Sequence, residues 1–104
     1  MDSMGNTRIR IEIDQELATV VPEYLENRRL DCFLIERLLA EGGMAEIRSL
    51  GHRMKGSGGS YGFDEISEIG EALECAALVS DADVIRSAID RLKSYLSRIT
   101  VAYI

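Results

Sequence analysis

Apolar positions recur at spacings of three and four residues through most of the chain, which is the pattern of amphipathic helices. Glycines and acidic capping residues divide the pattern into four helical segments, which are residues 22–41, 44–62, 63–79 and 81–104. The last segment has the most regular apolar stripe, and the spacing continues through Ile99 and Tyr103. Four amphipathic helices joined by short connections predict an all-α fold, an antiparallel four-helix bundle.

The first thirteen residues have a different pattern. Ile9, Ile11 and Ile13 alternate with charged residues, as in a short strand or an extended arm. Because one isolated strand cannot form a sheet, we predict an arm over residues 1–13 and the bundle domain over residues 14–104. Asp14 can cap a short additional N-terminal helix, which would end before Pro22.

Composition narrows the function classes. A chain of 104 residues is expected to form one domain. It contains no run of ~18 apolar residues for a membrane span, and its N-terminus lacks the apolar region of a signal peptide, so we expect a cytoplasmic protein.

Cys32 and Cys75 lie far apart and are expected to be free thiols. The net charge of −6 argues against nucleic acid as a partner, which leaves a protein or a small ligand.

The segment HRMKGSGGSYGF begins with His52, the only histidine in the chain. At ~100° per residue, His52 lies ~200° from the apolar residues two positions before and after it, so its ring is predicted to face solvent. Lys55, Gly56 and Gly59 share this face of the helix. Glycine within a helix costs ~1 kcal/mol relative to alanine, so these two glycines indicate a surface that must stay open for a partner.

An exposed imidazole with a lysine one turn later suggests phosphoryl chemistry. A neutral imidazole nitrogen is a good nucleophile near pH 7, and an ammonium group on the same face can stabilise the oxygens of a transferring phosphoryl group. A lone surface histidine usually has no function. Here the glycine-lined face favours a functional interpretation of His52.

The same segment strongly resembles the signature of the histidine-containing phosphotransfer (HPt) domain family. The residues that carry the resemblance are His52, Lys55, Gly56, Ser57 and Gly62. The resemblance implies a four-helix bundle from about residue 14 onward, in which His52 accepts a phosphoryl group from an aspartyl phosphate on a response-regulator receiver domain and passes it on. It implies a carrier without kinase activity or a cofactor of its own, since the Mg²⁺ belongs to the receiver. The implied partners are receiver domains and a hybrid sensor histidine kinase.

The resemblance also implies that a polar residue on the next helix holds the imidazole, and Glu74 occupies the matching position. A solvated glutamate is an equally good alternative. Arg48 and Arg53 flank His52 and, with Lys55, make its surroundings basic on an acidic protein. This charge is expected to steer the domain to the acidic phosphorylation pocket of a receiver.

Other functions fit the sequence less well. Residues 51–57, GHRMKGS, place lysine and glycine in the wrong order for a phosphate-binding loop, and no strand precedes them. One histidine and two distant cysteines do not make a metal site. The main alternative is a helical adaptor that docks a signalling partner without phosphotransfer. Arg28 and Asp31 interrupt the apolar stripe of the first long helix, and the sequence does not explain them.

Overall fold

The structure, a computed structural model, describes residues 7–104. In chain order these residues form strand β1 (Ile9–Ile13), a 3-10 turn (Gln15–Leu17), helices α1 (Val21–Ala40), α2 (Met44–Ser60), α3 (Asp64–Leu78) and α4 (Ala82–Arg98), and strand β2 (Ile99–Tyr103). The four predicted helices are therefore confirmed. Three of them match the predicted bounds to within about two residues, and α4 ends earlier than predicted.

The helices bury one continuous apolar core. Each helix packs against the next along the chain, α1 also packs against α4, and α2 and α3 form the closest pair. Side chains with no exposed surface come from every helix and from the loop before α3, and they are Val21, Ile35, Ile47, Phe63, Ile66, Ile69, Leu73, Ile85 and Leu92. This arrangement is a bundle of four helices with the core between them.

The loops between the helices depend on residues suited to sharp turns. Gly42 and Gly62 follow α1 and α2 and have φ angles of 76° and 93°, which disfavour any residue with a Cβ. A Cβ on Gly62 would also lie 2.5 Å from Cδ1 of Ile13. Before α4, the Asp81 carboxylate accepts a hydrogen bond from the backbone N–H of Val84 and so caps the helix.

The two ends of the described chain form a small sheet, so the prediction of an isolated arm is wrong. Strands β1 and β2 pair in parallel, in a register that runs from Ile9 opposite Ile99 to Ile13 opposite Tyr103. Helix α4 accordingly ends at Arg98, whereas the apolar spacing had predicted that it would continue to the C-terminus. Ile13 is only 2% exposed, so β1 is part of the packed domain.

Local contacts explain why the chain changes from helix to strand at this point. Ile99, Thr100 and Val101 are consecutive β-branched residues, which favour strands over helices. The Arg8 guanidinium donates hydrogen bonds to the carbonyl oxygens of Ser97 and Ile99, and so ties the segment before β1 to the end of α4.

The short additional N-terminal helix is not observed. Asp14 does act as a cap, because its carboxylate accepts a hydrogen bond from the N–H of Glu16, but only the 3-10 turn follows. The Gln15 N–H bonds the carbonyl of Ile104, and the Ile104 N–H bonds the carbonyl of Ile13. The segment is therefore held against the C-terminal strand by backbone pairing, in place of a helix of its own.

The polar residues within the stripe of α1 form a local pair. The Arg28 Nε lies 2.8 Å from Asp31 Oδ2, and both side chains are mostly covered. The guanidinium also lies 4.6 Å from the centroid of the Tyr24 ring. The ion pair with Asp31 and the contact with the Tyr24 ring together stabilise the Arg28 charge at the margin of the core.

Candidate functional site

His52 lies near the middle of α2 on its outer face. Its side chain is 72% exposed, whereas Met54 on the opposite side of the helix is buried. The exposure predicted from the helical periodicity is confirmed. The ring is therefore open to a macromolecular partner.

Helices α2 and α3 approach until their backbones touch, and glycines make this possible. A Cβ on Gly51 would lie 2.7 Å from the backbone nitrogen of Glu74, and a Cβ on Gly70 would lie 2.4 Å from the backbone nitrogen of Lys55. Real side chains do not tolerate either separation. The close approach brings the α3 backbone at Glu74 beside the turn that carries His52. Neither Gly51 nor Gly70 was predicted from the sequence to pack against a neighbouring helix.

A third glycine, two turns after Gly51, continues the same contact along α2. A Cβ on Gly58 would lie 2.5 Å from the backbone nitrogen of Ser67. The absent side chain of Gly58 therefore permits close packing of the two helices. The buried side of α2 is thus fitted to α3 along about two turns, from Gly51 to Gly58.

Glu74 contacts the imidazole directly. Its Oε2 lies 2.9 Å from Nδ1 of His52, and its side chain is 22% exposed. A carboxylate oxygen accepts a hydrogen bond, so in the neutral imidazole this geometry places the ring proton on Nδ1 and the lone pair on Nε2. Of the two alternatives for Glu74, the structure contains the contact with the ring and not the solvated side chain.

Lys55 extends the polar cluster beyond the carboxylate. Its Nζ lies 4.0 Å from Oε1 of Glu74, the oxygen that does not bond His52. The carboxylate therefore lies between an imidazole and an ammonium group. At this separation the ammonium is only loosely held, and its side chain is 48% exposed. Its N–H groups can turn toward an anion placed beside the ring.

The surface that follows His52 on the helix is bare. A Cβ on Gly56 would have no atom within 4 Å, and a Cβ on Gly59 would meet only Oγ of Ser67 at 3.5 Å and Oδ1 of Asp64 at 3.7 Å. Neither glycine is required by packing against a neighbouring helix. Their absent side chains leave room next to the imidazole.

Ser67 bonds the backbone of this bare turn and was not identified from the sequence. Its hydroxyl donates to the carbonyl oxygen of Lys55 and accepts from the N–H of Gly59, with both separations 2.7 Å. These are the two groups that pair with each other in an unbroken α-helix. A hydroxyl at this point fixes α2 to α3 between Lys55 and the open glycine.

The predicted basic residues line a groove that also contains the imidazole. Arg48 and Arg53 are both exposed, and together with His52 and Glu74 they line this groove on α2. Neither arginine side chain forms an ion pair or a hydrogen bond with another residue in the range 7–104. Their positive charge is therefore not neutralised within the described part of the chain.

Within residues 7–104, no helix has the length and apolar character needed to cross a bilayer. In the same range, no three histidine, cysteine or carboxylate side chains are arranged to hold a metal ion. Cys32 and Cys75 are both free thiols, as predicted, and Cys32 is buried whereas Cys75 is exposed.

Comparison with known families gives one match. The family model described as the Hpt domain matches residues 15–101, which is most of the chain and includes the whole site on α2 and α3. Searches of curated proteins and of solved structures found no match. The matched residues run from the 3-10 turn through all four helices into β2. On this match, the chain belongs to the Hpt domain family.

Proposed function

We propose that the protein carries a phosphoryl group on Nε2 of His52, received from an aspartyl phosphate of one receiver domain and passed to another. Hpt domains in general act as histidine phosphocarriers in phosphorelays, and membership of the family supports a role of this kind. The single observation that carries the assignment to His52 is its hydrogen bond to Glu74 on an open helix face. In the neutral ring that bond keeps the proton on Nδ1, so Nε2 is the nitrogen whose lone pair can attack, and the side chain is 72% exposed.

The transfer step requires no proton to move on the ring. The lone pair of Nε2 attacks the phosphorus of the aspartyl phosphate, an N–P bond forms, and the P–O bond to the aspartate breaks with its electron pair leaving on the carboxylate. Nδ1 keeps its proton throughout. The ring becomes positively charged as the bond forms, and the Glu74 carboxylate 2.9 Å from Nδ1 stabilises that charge.

Lys55 supplies positive charge on the other side of the transferring group. Its loosely held ammonium can bond the phosphoryl oxygens, which carry most of the negative charge in the transition state. Arg48 and Arg53 contribute a local positive field on a chain whose net charge is −6. In this proposal they steer His52 toward an acidic receiver pocket, while Gly56 and Gly59 give the receiver access.

The remaining expectations belong to the same proposal. The bundle is antiparallel, which is supported at one helix pair by Gly51 lying beside Glu74 while Gly58 lies beside Ser67. The protein is a carrier without kinase activity or a cofactor of its own, and the Mg²⁺ needed for transfer is bound by the receiver. Its partners are receiver domains and a hybrid sensor histidine kinase in the cytoplasm, and it does not bind nucleic acid.

Transfer from a phosphorylated receiver tests the proposal. A panel of receiver domains loaded with radiolabelled acetyl phosphate is incubated with the protein. At least one receiver is expected to lose its label to the protein, as a phosphoramidate that is labile in acid and stable in alkali.

His52→Gln is the matched control. This variant retains a polar side chain on an exposed position, so it is expected to fold normally and to accept no label. Label on His52→Gln would place the phosphoryl group on another residue. Binding of a receiver without any transfer to the wild-type protein would instead support the helical adaptor.

A further inference from the structure

The outward face of α1 carries two large apolar side chains that the bundle does not cover. Leu30 is 55% exposed and Phe33 is 66% exposed. At ~100° per residue these two residues, with Glu26 and Arg37, fall within an arc of ~60° on the helix. The arc lies opposite the side on which Ile35 is buried. This outer stripe, Glu26–Leu30–Phe33–Arg37, is therefore an apolar centre with one charge of each sign at its ends.

The order of the outer stripe is symmetric. Leu30 and Phe33 lie at equal distances along the helix from the midpoint between residues 31 and 32, and so do Glu26 and Arg37. If a second copy of α1 lies antiparallel across the first, each Glu26 meets an Arg37 and each Leu30 meets a Phe33. A twofold interface requires this self-complementarity, in which each contact occurs twice.

The end charges are available for such a contact. The Arg37 side chain forms no ion pair or hydrogen bond with another side chain in residues 7–104. Glu26 bonds Arg29 through Oε1 at 3.3 Å, and both side chains are largely exposed, so this pair contributes little and leaves the second carboxylate oxygen free. An Arg37 guanidinium from another copy can bond that oxygen.

We propose that the protein forms a weak antiparallel homodimer through the outer stripe of α1. One helix face is much smaller than the 20–30 residues a side of a standard stable interface, so the dimer is expected to form only at roughly 100 µM or above. Helix α1 packs against α2 and α4, whereas His52 leans toward Glu74 on α3. Both histidines therefore remain accessible in the dimer, and dimerisation is independent of phosphotransfer.

Sedimentation equilibrium of the full chain from 10 µM to 1 mM tests this proposal. The weight-average mass of the wild type is expected to rise above the monomer value at the upper end of this range. Phe33→Glu puts a charge in the apolar centre and is expected to remain monomeric at 1 mM. Its melting temperature and its phosphotransfer rate should match those of the wild type, because the Phe33 ring is mostly in solvent.

Charge reversal distinguishes the antiparallel pairing from a general tendency to associate. Glu26→Arg and Arg37→Glu, made singly, set like charges against each other at both ends of the interface, and each is expected to weaken association at least tenfold. The double variant restores opposite charges at both ends and is expected to associate like the wild type. A wild type that stays monomeric at 1 mM, or a double variant that does not recover, would overturn the proposal.

Discussion

Helix α2 carries glycines on two faces, and their surroundings differ completely. Toward α3, a Cβ on Gly51 or Gly58 would lie within 2.7 Å of backbone atoms of that helix. Toward solvent, a Cβ on Gly56 would touch nothing within 4 Å. The covered glycines bring Glu74 to His52, and the open glycines leave space in front of the ring. The same residue type therefore serves assembly of the site on one face and access to it on the other.

The largest expected effect is at the close contact between α2 and α3, which Gly70 permits from the α3 side. Gly70→Ala would place a Cβ 2.4 Å from the backbone nitrogen of Lys55, which forces α2 and α3 apart. The free energy of unfolding is expected to fall by about 3 kcal/mol, at the upper end of the usual range for overpacking. Gly56→Ala is the control, and it is expected to gain up to about 1 kcal/mol from helix propensity. If thermal and urea unfolding gave Gly70→Ala and Gly56→Ala the same stability, the covered and open glycines would not differ as proposed.

The second prediction concerns the rate of phosphotransfer and not the stability of the fold. Lys55→Ala is expected to reduce the rate of phosphotransfer roughly a hundredfold, because it removes a positive charge from the oxygens of the transferring group. Its unfolding free energy should change by no more than about 0.5 kcal/mol, because the side chain is half exposed. The rate is measured by rapid quench with a phosphorylated receiver. An unaltered rate would contradict the role given to Lys55.

A smaller loss of transfer is expected when the open face is filled. Gly59→Leu should lower the transfer rate roughly tenfold, since a side chain beside His52 holds the reacting centres apart. The isolated domain should be as stable as the wild type or more stable by up to about 0.8 kcal/mol. Melting temperature and transfer rate are measured on the same sample. Loss of stability would identify Gly59 as a packing residue, and normal transfer in a stable variant would show that receivers dock elsewhere.

The smallest expected effect is a pH dependence of the free energy of unfolding, which comes from Cys32, a thiol buried in the core. Burial raises the pKa of the Cys32 thiol from 9.0 to about 11. The unfolded chain ionises first as pH rises, so the stability associated with the neutral thiol is complete below about pH 9 and is lost as pH approaches 11.

Comparison with Cys32→Ala isolates this contribution, because burial also raises the pKa of Tyr95, to about 12, in both proteins. Urea unfolding between pH 8.5 and 10.5 should show a steeper fall in stability for the wild type than for the variant. Parallel curves would mean that Cys32 titrates in the folded protein as it does in the unfolded chain.

Much of the fold follows from local sequence patterns. Periods of three and four residues located the four helices and the exposed side of α2, because both depend on the residues within one segment. The Arg28–Asp31 pair could also have been found, since residues three apart on a helix are neighbours. The run Ile99, Thr100 and Val101 was a signal for a strand, but its apolar positions also fitted the helical spacing of α4.

The rest depends on segments that are distant in sequence. Nothing within Ile9–Ile13 shows that it will pair with a strand ninety residues later, which is why it was predicted to be isolated. Gly51 and Gly70 matter because α2 and α3 lie so close together, and Ser67 matters because it lies beside the Lys55 carbonyl. Neither arrangement can be predicted from one segment of the sequence. The contact of Glu74 with the ring was left open at the sequence level for the same reason.

Nuclear magnetic resonance of the phosphorylated protein tests the assignment of the accepting nitrogen most directly. The protein, labelled with ¹⁵N in its one histidine, is phosphorylated by a receiver domain, and long-range ¹H–¹⁵N spectra identify the substituted ring nitrogen. The hydrogen bond from Nδ1 to Glu74 predicts that phosphorus is bonded to Nε2 and that Nδ1 retains its proton. Phosphorus on Nδ1, or a histidine that stays unmodified while the protein takes up label, would contradict this assignment.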